Sequence, residues 1–307
     1  MSGAPLRIAT RRSPLALAQA EWVARALAAA GARCELLKLE TEGDLKLDGP
    51  LHESGGKGLF VKEIQRALLE GEADFAVHSG KDYPHQNPPQ LRIAAVPERE
   101  STADLLLTLD GRALPALPAG ARVGSASQRR RGQLLALRPD LRIELLRGNV
   151  GSRLRKLEAG EFDAIVLAEA GLRRLGLDAW RARASVLPIL AAAAQGALVI
   201  ETRRDDGRAR ALADGLNHPA TAREVEAERA FVAGLGGDCT TPIGARAMSR
   251  GDTLVSMSGL LIAPDGSRAA RVEADEAELA SPPAALGAAL ARRLRALPGA
   301  DPLLPSR

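Results

Sequence analysis

The order of local patterns along this chain limits its fold more than any bulk property. Three times in the first half an apolar strand runs straight into a helix start, and each junction carries arginine. The junctions are Arg7-Ile8-Ala9-Thr10-Arg11-Arg12-Ser13-Pro14, Val123-Gly124-Ser125-Ala126-Ser127-Gln128-Arg129-Arg130-Arg131 and Leu145-Leu146-Arg147-Gly148-Asn149-Val150-Gly151-Ser152-Arg153. A helix start leaves backbone N–H groups unpaired and carries the positive end of the helix dipole, so it attracts anions. Guanidinium forks beside it make a bidentate receptor for carboxylate or phosphate. One such arginine is often only a solvated charge. Three junctions, each with small residues that let a ligand approach the backbone, predict a ligand with many negative charges.

The rest of the pattern extends this alternation. Ser13 reads as an N-cap with Pro14 at the first helical position, and Leu15, Ala18, Trp22, Val23, Ala26 and Leu27 form an apolar stripe ending at Gly31. Strands are expected at Cys34–Leu39, Asp74–Val77, Arg92–Val96, near Val123, at Ile143–Leu146 and at Ala164–Leu167. Helices are expected at Leu59–Glu70, Arg130–Leu137, Ser152–Ala159 and Glu169–Leu175. Such alternation implies parallel sheets with crossover helices, whose ligands bind at the carboxyl ends of the strands. From about Asn217 the pattern changes. A long helix (Ala222–Leu235), a glycine-rich loop around Cys239, strands Leu254–Ile262 and Arg268–Glu273 around the hairpin signal Pro264-Asp265-Gly266, and a last helix Pro283–Leu297 read as a small α+β unit.

Composition narrows the function. At 307 residues the chain is long for one core, so two or three domains are expected. A net charge of +4, from 42 basic against 38 acidic residues, argues against bulk coating of nucleic acid and for local placement of charge. Few aromatics are available to stack on bases. No apolar run approaches the length of a membrane span and the N-terminus lacks a secretory h-region. Two distant cysteines make no metal-ligand cluster, so no metal is expected and a cytoplasmic protein with reduced thiols fits.

Two further places carry chemistry. Lys81-Asp82 directly follows a buried strand, which puts the carboxylate at the sheet's carboxyl end, facing a cleft. Such a pair is usually an exposed turn. Among so many cations, however, the carboxylate would be held ionised, able to stabilise a cationic intermediate or shuttle a proton. A lone cysteine is most often a buried small hydrophobe. Cys239, flanked by Gly236-Gly237-Asp238 and Thr240-Thr241-Pro242, looks instead like an exposed thiol able to form a covalent attachment. Gly55-Gly56-Lys57-Gly58 lacks the spacing of a P-loop.

These residues, in this order, resemble the porphobilinogen deaminase (hydroxymethylbilane synthase) family over nearly the whole chain. The matching stretches are Arg7–Ala18, Gly55–Glu63, Ala76–Asp82, Val123–Arg130, Arg147–Arg153, Asp163–Leu177, Cys239–Gly244 and Ala263–Ser267. The resemblance implies an α/β chain of three domains, the first two like type II periplasmic binding proteins around a cleft, the third small and α+β. Residues 1–97 with 198–216 would form the first domain, 98–197 the second and 217–307 the third. It implies a monomeric transferase that joins four porphobilinogens head to tail, losing ammonia each time, and releases hydroxymethylbilane for tetrapyrrole and haem biosynthesis. A dipyrromethane cofactor would be held by a thioether to Cys239 and by Lys81, Asp82, Ser125, Ser127, Arg129, Arg130, Gly148 and Arg153. Arg11, Ser13, Arg147, Arg153, Arg174 and Gln195 would bind substrate, with Asp82 catalytic.

The chain departs from the family's commoner pattern at Gly80 and Tyr83 (for Met and Val), at Glu42 and Glu53 (for basic residues), at Ala103 (for Arg) and at Ala194 (for Gly). Two readings stay open beside the enzyme: a cytoplasmic solute-binding or sensing module on the same scaffold, and a deaminase homologue of weakened turnover. Neither nucleic acid nor membrane is expected as a partner.

Overall fold

A computed structural model describes residues 4–41, 61–237 and 241–303. The expected alternation is present. Strand β1 (Leu6–Arg11) leads to helix α1 (Pro14–Ala29), where the Ser13 side chain accepts from the backbone N–H of Ala16 and Pro14 opens the helix. β2 (Cys34–Leu39), α2 (Lys62–Leu69), β3 (Phe75–Ser79) and β4 (Leu91–Ala95) follow. The second run comprises β5 (Asp104–Leu107), β6 (Arg122–Gly124), α3 (Gln128–Leu137), β7 (Arg142–Glu144), α4 (Val150–Glu158), β8 (Ala164–Ala168), α5 (Glu169–Arg174), α6 (Asp178–Arg181) and β9 (Ser185–Val186). β10 (Leu198–Arg203) and α7 (Gly207–Asp214) close the α/β part.

The sheets are mixed, which corrects the expectation of parallel ones. The first has the order β2-β1-β3-β10-β4 and the second β7-β6-β8-β5-β9. β1 is parallel to β2 and β3, and β6 to β7 and β8, but β10 and β5 run antiparallel to both neighbours. In each sheet the reversed strand is the one that follows a passage from the other unit, so it comes in from the opposite end. Periodicity leaves both unassigned because they are short apolar runs without alternation (Asp104-Leu105-Leu106-Leu107 and Leu198-Val199-Ile200-Glu201). Two sheets of one topology, joined by two adjacent crossovers, make a pair of like domains.

The third domain is an antiparallel sheet of β11 (Ile243–Arg250), β12 (Thr253–Ile262) and β13 (Ala269–Glu273). Helices α8 (Pro219–Gly234) and α10 (Pro283–Arg295) cover it, and a short α9 (Glu276–Leu279) lies between. Helix α8 starts earlier than periodicity suggests, because His218 caps it by accepting from the N–H of Thr221. Phe231, Leu261, Leu286 and Leu290 are fully buried in this core, and burying each large apolar side chain contributes about 1.5–3 kcal/mol. No described helix is long and apolar enough to cross a membrane.

Candidate active site

The carboxyl ends of the two mixed sheets face one another across a cleft with a cavity of about 600 Å³. From the first domain, Lys81 and Asp82 come from a one-turn 3-10 helix (Gly80–Asp82) that directly follows β3. From the second come Ser127, Arg129, Arg130 and Arg153. Gln195 lies on the second crossover, and the third domain contributes Arg229, Val232, Gly236, Gly237, Thr241 and Ile243. Cys239, Glu42 and Glu53 lie outside the described residues. The residues on both sides of the Cys239 loop, Gly237 and Thr241, line the cavity.

The second domain holds its arginines on a buried acid. Asp104, 2% exposed at the start of β5, accepts from Arg129 Nη2 at 2.8 Å and from Arg130 Nε and Nη2 at 3.0 and 2.6 Å. Gln195 Nε2 also donates to it at 3.0 Å. Burial alone would raise the Asp104 carboxyl, but the two guanidinium groups outweigh it and hold the carboxyl well below its usual range. Ser127 caps α3, its hydroxyl accepting from the N–H of Arg130, and buried Ser125 in turn accepts from the N–H of Ser127. This is the anion-receptor junction read from the sequence; all three side-chain nitrogens of Arg130 are bonded, whereas Arg129 Nε is buried without a partner.

Crowding of cations shows in the titrating groups. Burial, with Arg130 and Arg129 nearby, brings Lys81 down to about 8 although Asp82 and Asp104 act in the other direction. Burial and then Arg130 bring Arg153 down to about 10, with Asp82 opposing and Arg147 adding to the fall. Bringing carboxylates into such a cleft relieves this repulsion.

The remaining expected site residues lie outside the cavity lining. Gly148 accepts from Arg153 Nε at 2.8 Å and so orients that side chain. Arg174 donates to the Gly196 carbonyl at 2.6 Å, tying the second domain to the crossover. Ser13 caps α1, Arg11 is partly exposed at the end of β1, and Arg147 is partly exposed in the loop after β7, which stops at Glu144, short of the expected Leu146.

The sequence reading singled out neither Asp104 nor the network around another buried acid, Glu201. Glu201, fully buried on β10, accepts from Gln65 Nε2 at 2.8 Å, from the Tyr83 hydroxyl at 2.7 Å and from His78 Nε2 at 2.9 Å. Burial and the Glu201 charge push the Tyr83 phenol well above its ordinary value, so it stays a donor. Arg229 lies over the Tyr83 ring at 4.8 Å and donates to the carbonyls of Tyr83 and Pro84. This network lies directly beneath the Lys81–Asp82 turn. Its signal was available: an acid inside an apolar run must find partners when buried. Arg229 carried no such signal, being one polar residue among many on α8.

Residues 6–211 match the family described as "Porphobilinogen deaminase, dipyromethane cofactor binding domain", and residues 222–296 match "Porphobilinogen deaminase, C-terminal domain". A porphobilinogen deaminase of Nitratidesulfovibrio vulgaris (Miyazaki F) is 50% identical over 269 residues, covering 87% of this chain and 85% of the relative. One from strain DP4 is 51% identical over 270 residues, covering 87% and 86%. Among solved structures, a nutrient-binding protein from Burkholderia cenocepacia bound to methionine is 15% identical, covers 70% of this chain and 93% of that one, and has a TM-score of 0.44. The chain belongs to the porphobilinogen deaminase family.

Proposed function

We propose that this chain joins four porphobilinogens head to tail with loss of ammonia and releases hydroxymethylbilane, using the cleft between its first two domains. The observation that carries the reading is one cavity lined by Asp82, by Lys81, Arg129, Arg130 and Arg153, and by residues on both sides of the Cys239 loop. The residues present fit a dipyrromethane. Its carboxylates need clustered cations and hydroxyl donors, which Lys81, Ser127, Arg129, Arg130 and Arg153 supply, and its thioether needs a thiol on a loop reaching the same cavity. When bound, the cofactor supplies the pyrrole α-carbon to which the first porphobilinogen is joined.

The chain's own groups then divide the work. Asp82, exposed in the cleft, accepts from pyrrole N–H groups, stabilises the positive charge left on the substrate when ammonia departs, and moves a proton at its carboxylate during bond formation. Asp104 keeps Arg129 and Arg130 aimed as a pair, and Gly148 does the same for Arg153. Arg11, Ser13, Arg147 and Arg174 receive the acetate and propionate of each incoming substrate. The same reading includes a monomeric cytoplasmic protein without nucleic-acid or membrane partners, and the three domain limits given above.

Incubation of the purified protein with porphobilinogen, followed by acid oxidation, should give uroporphyrin absorbance. Intact mass should show a dipyrrole adduct that Cys239→Ala lacks. Binding without conversion and without an adduct would favour a solute-binding module instead.

A further inference from the structure

The second crossover, Ala191–Leu198, touches the catalytic turn at one unusual point. Ala194 has φ +56°, a left-handed conformation that L side chains rarely adopt, and it is the only such non-glycine among the described residues. It is held there from the third domain, where buried Glu228 accepts from the Ala194 N–H at 2.6 Å. Arg99 Nε donates to the Gln195 carbonyl at 2.8 Å, and Arg99 also pairs with Glu228. Gly80 opens the Lys81–Asp82 turn, and its N–H donates to Ala197 O at 2.9 Å. No positive φ demands glycine at position 80; space does. A Cβ there would lie 3.0 Å from Ala194 Cβ, 3.0 Å from Ala194 O and 3.2 Å from Ala197 O.

We propose that the Ala194 methyl, seated against the bare Cα of Gly80, is a steric latch that fixes the Lys81–Asp82 turn to the inter-domain crossover, making Ala194 a positioning residue for Asp82. The strained backbone persists because the Glu228 and Arg99 contacts hold it, and it sets one methyl group at this spot. The latch rests on the functional reading above and adds to it the link between the crossover and the turn.

The experiment moves the methyl across the contact, comparing Ala194→Gly, Gly80→Ala and the double variant. Glycine is at home at φ +56°, so Ala194→Gly should unfold at or above the parent temperature. Its KM for porphobilinogen should stay within about twofold while kcat falls roughly tenfold, because a loosened turn misplaces Asp82. Gly80→Ala, pressed against two backbone oxygens, should also lose kcat, and adding Ala194→Gly should restore part of it. Exchange of the Gly80 and Tyr83 amides should speed up in Ala194→Gly and slow again in the double variant. Parental kcat and parental exchange in Ala194→Gly, or a double variant no better than Gly80→Ala, would overturn the latch. A parent that makes no hydroxymethylbilane would instead sink the functional reading, and amide exchange alone would then decide the latch.

Discussion

Each mixed sheet carries one fully buried acid on its reversed strand, Glu201 in the first domain and Asp104 in the second, and the two are satisfied in opposite ways. Glu201 accepts from an amide, a phenol and an imidazole. Asp104 accepts from two guanidinium groups. The difference follows what each sheet presents to the cleft. The first domain offers a carboxylate, Asp82, beside Lys81, and its buried acid accepts from no guanidinium among the described residues. The second offers positive charge, and its acid offsets part of that charge while bonding both guanidinium groups. One topology thus sets a carboxylate beside a lysine on one wall of the cleft and guanidinium groups on the other, and the partners of its buried acids differ accordingly.

Breaking the second-domain acid should have the largest effect. Asp104→Asn leaves two buried guanidinium groups without their counter-charge, which costs about 3–5 kcal/mol, and the protein should be isolated largely without its adduct by intact mass. The depressed carboxyl gives the same site an acid signature. Its stabilisation is present above the ordinary carboxylate pKa and is lost as pH falls below it, so the parent's melting temperature should drop in acid more steeply than that of Asp104→Asn. Asp82→Asn should break function without structure: kcat falls by roughly 10³-fold, while melting temperature and the adduct on Cys239 remain. Near-normal turnover would remove Asp82 from its role.

Smaller changes sharpen the contrast. Tyr83→Phe deletes one of three donors to a buried carboxylate, which destabilises by about 1–3 kcal/mol. Calorimetry should record that loss with the adduct intact, whereas any lesion at Asp104 should remove the adduct. The mildest test is pH. Burial brings Lys81 down to about 8, below its ordinary value, so kcat/KM should fall above about 8 as a carboxylate-binding cation disappears. Lys81→Gln should flatten that limb. The stability sign is the reverse: between about 8 and the ordinary lysine pKa the unfolded chain binds more protons, so this group's contribution to stability rises with pH.

Much of the molecule was legible before any coordinates. β2 and the core of β8 match their apolar runs, Ser13 caps the helix it was expected to cap, and Asp82 stands at the carboxyl end of a buried strand, lining the cleft. These features are local. Capping, periodicity and small-residue turns are set by neighbours within a few positions, which is the range a sequence pattern reports. The reversed strands β5 and β10 escaped because their direction depends on where the chain has just come from, not on their own residues.

What the sequence by itself determined is therefore the inventory: two α/β units and an α+β unit, arginine at the strand ends, a carboxylate and a thiol in polar loops. Tertiary structure alone decided who answers whom. Asp104 meets Arg129 across 25 positions, Glu201 meets Tyr83 across 118, and Glu228 holds Ala194 across 34. A buried charge or a strained backbone is tolerable only if distant groups compensate it. Folding, which brings those groups together, determines which arginines are committed to structure, which cations remain crowded in the cleft, and how firmly the turn bearing Asp82 is held.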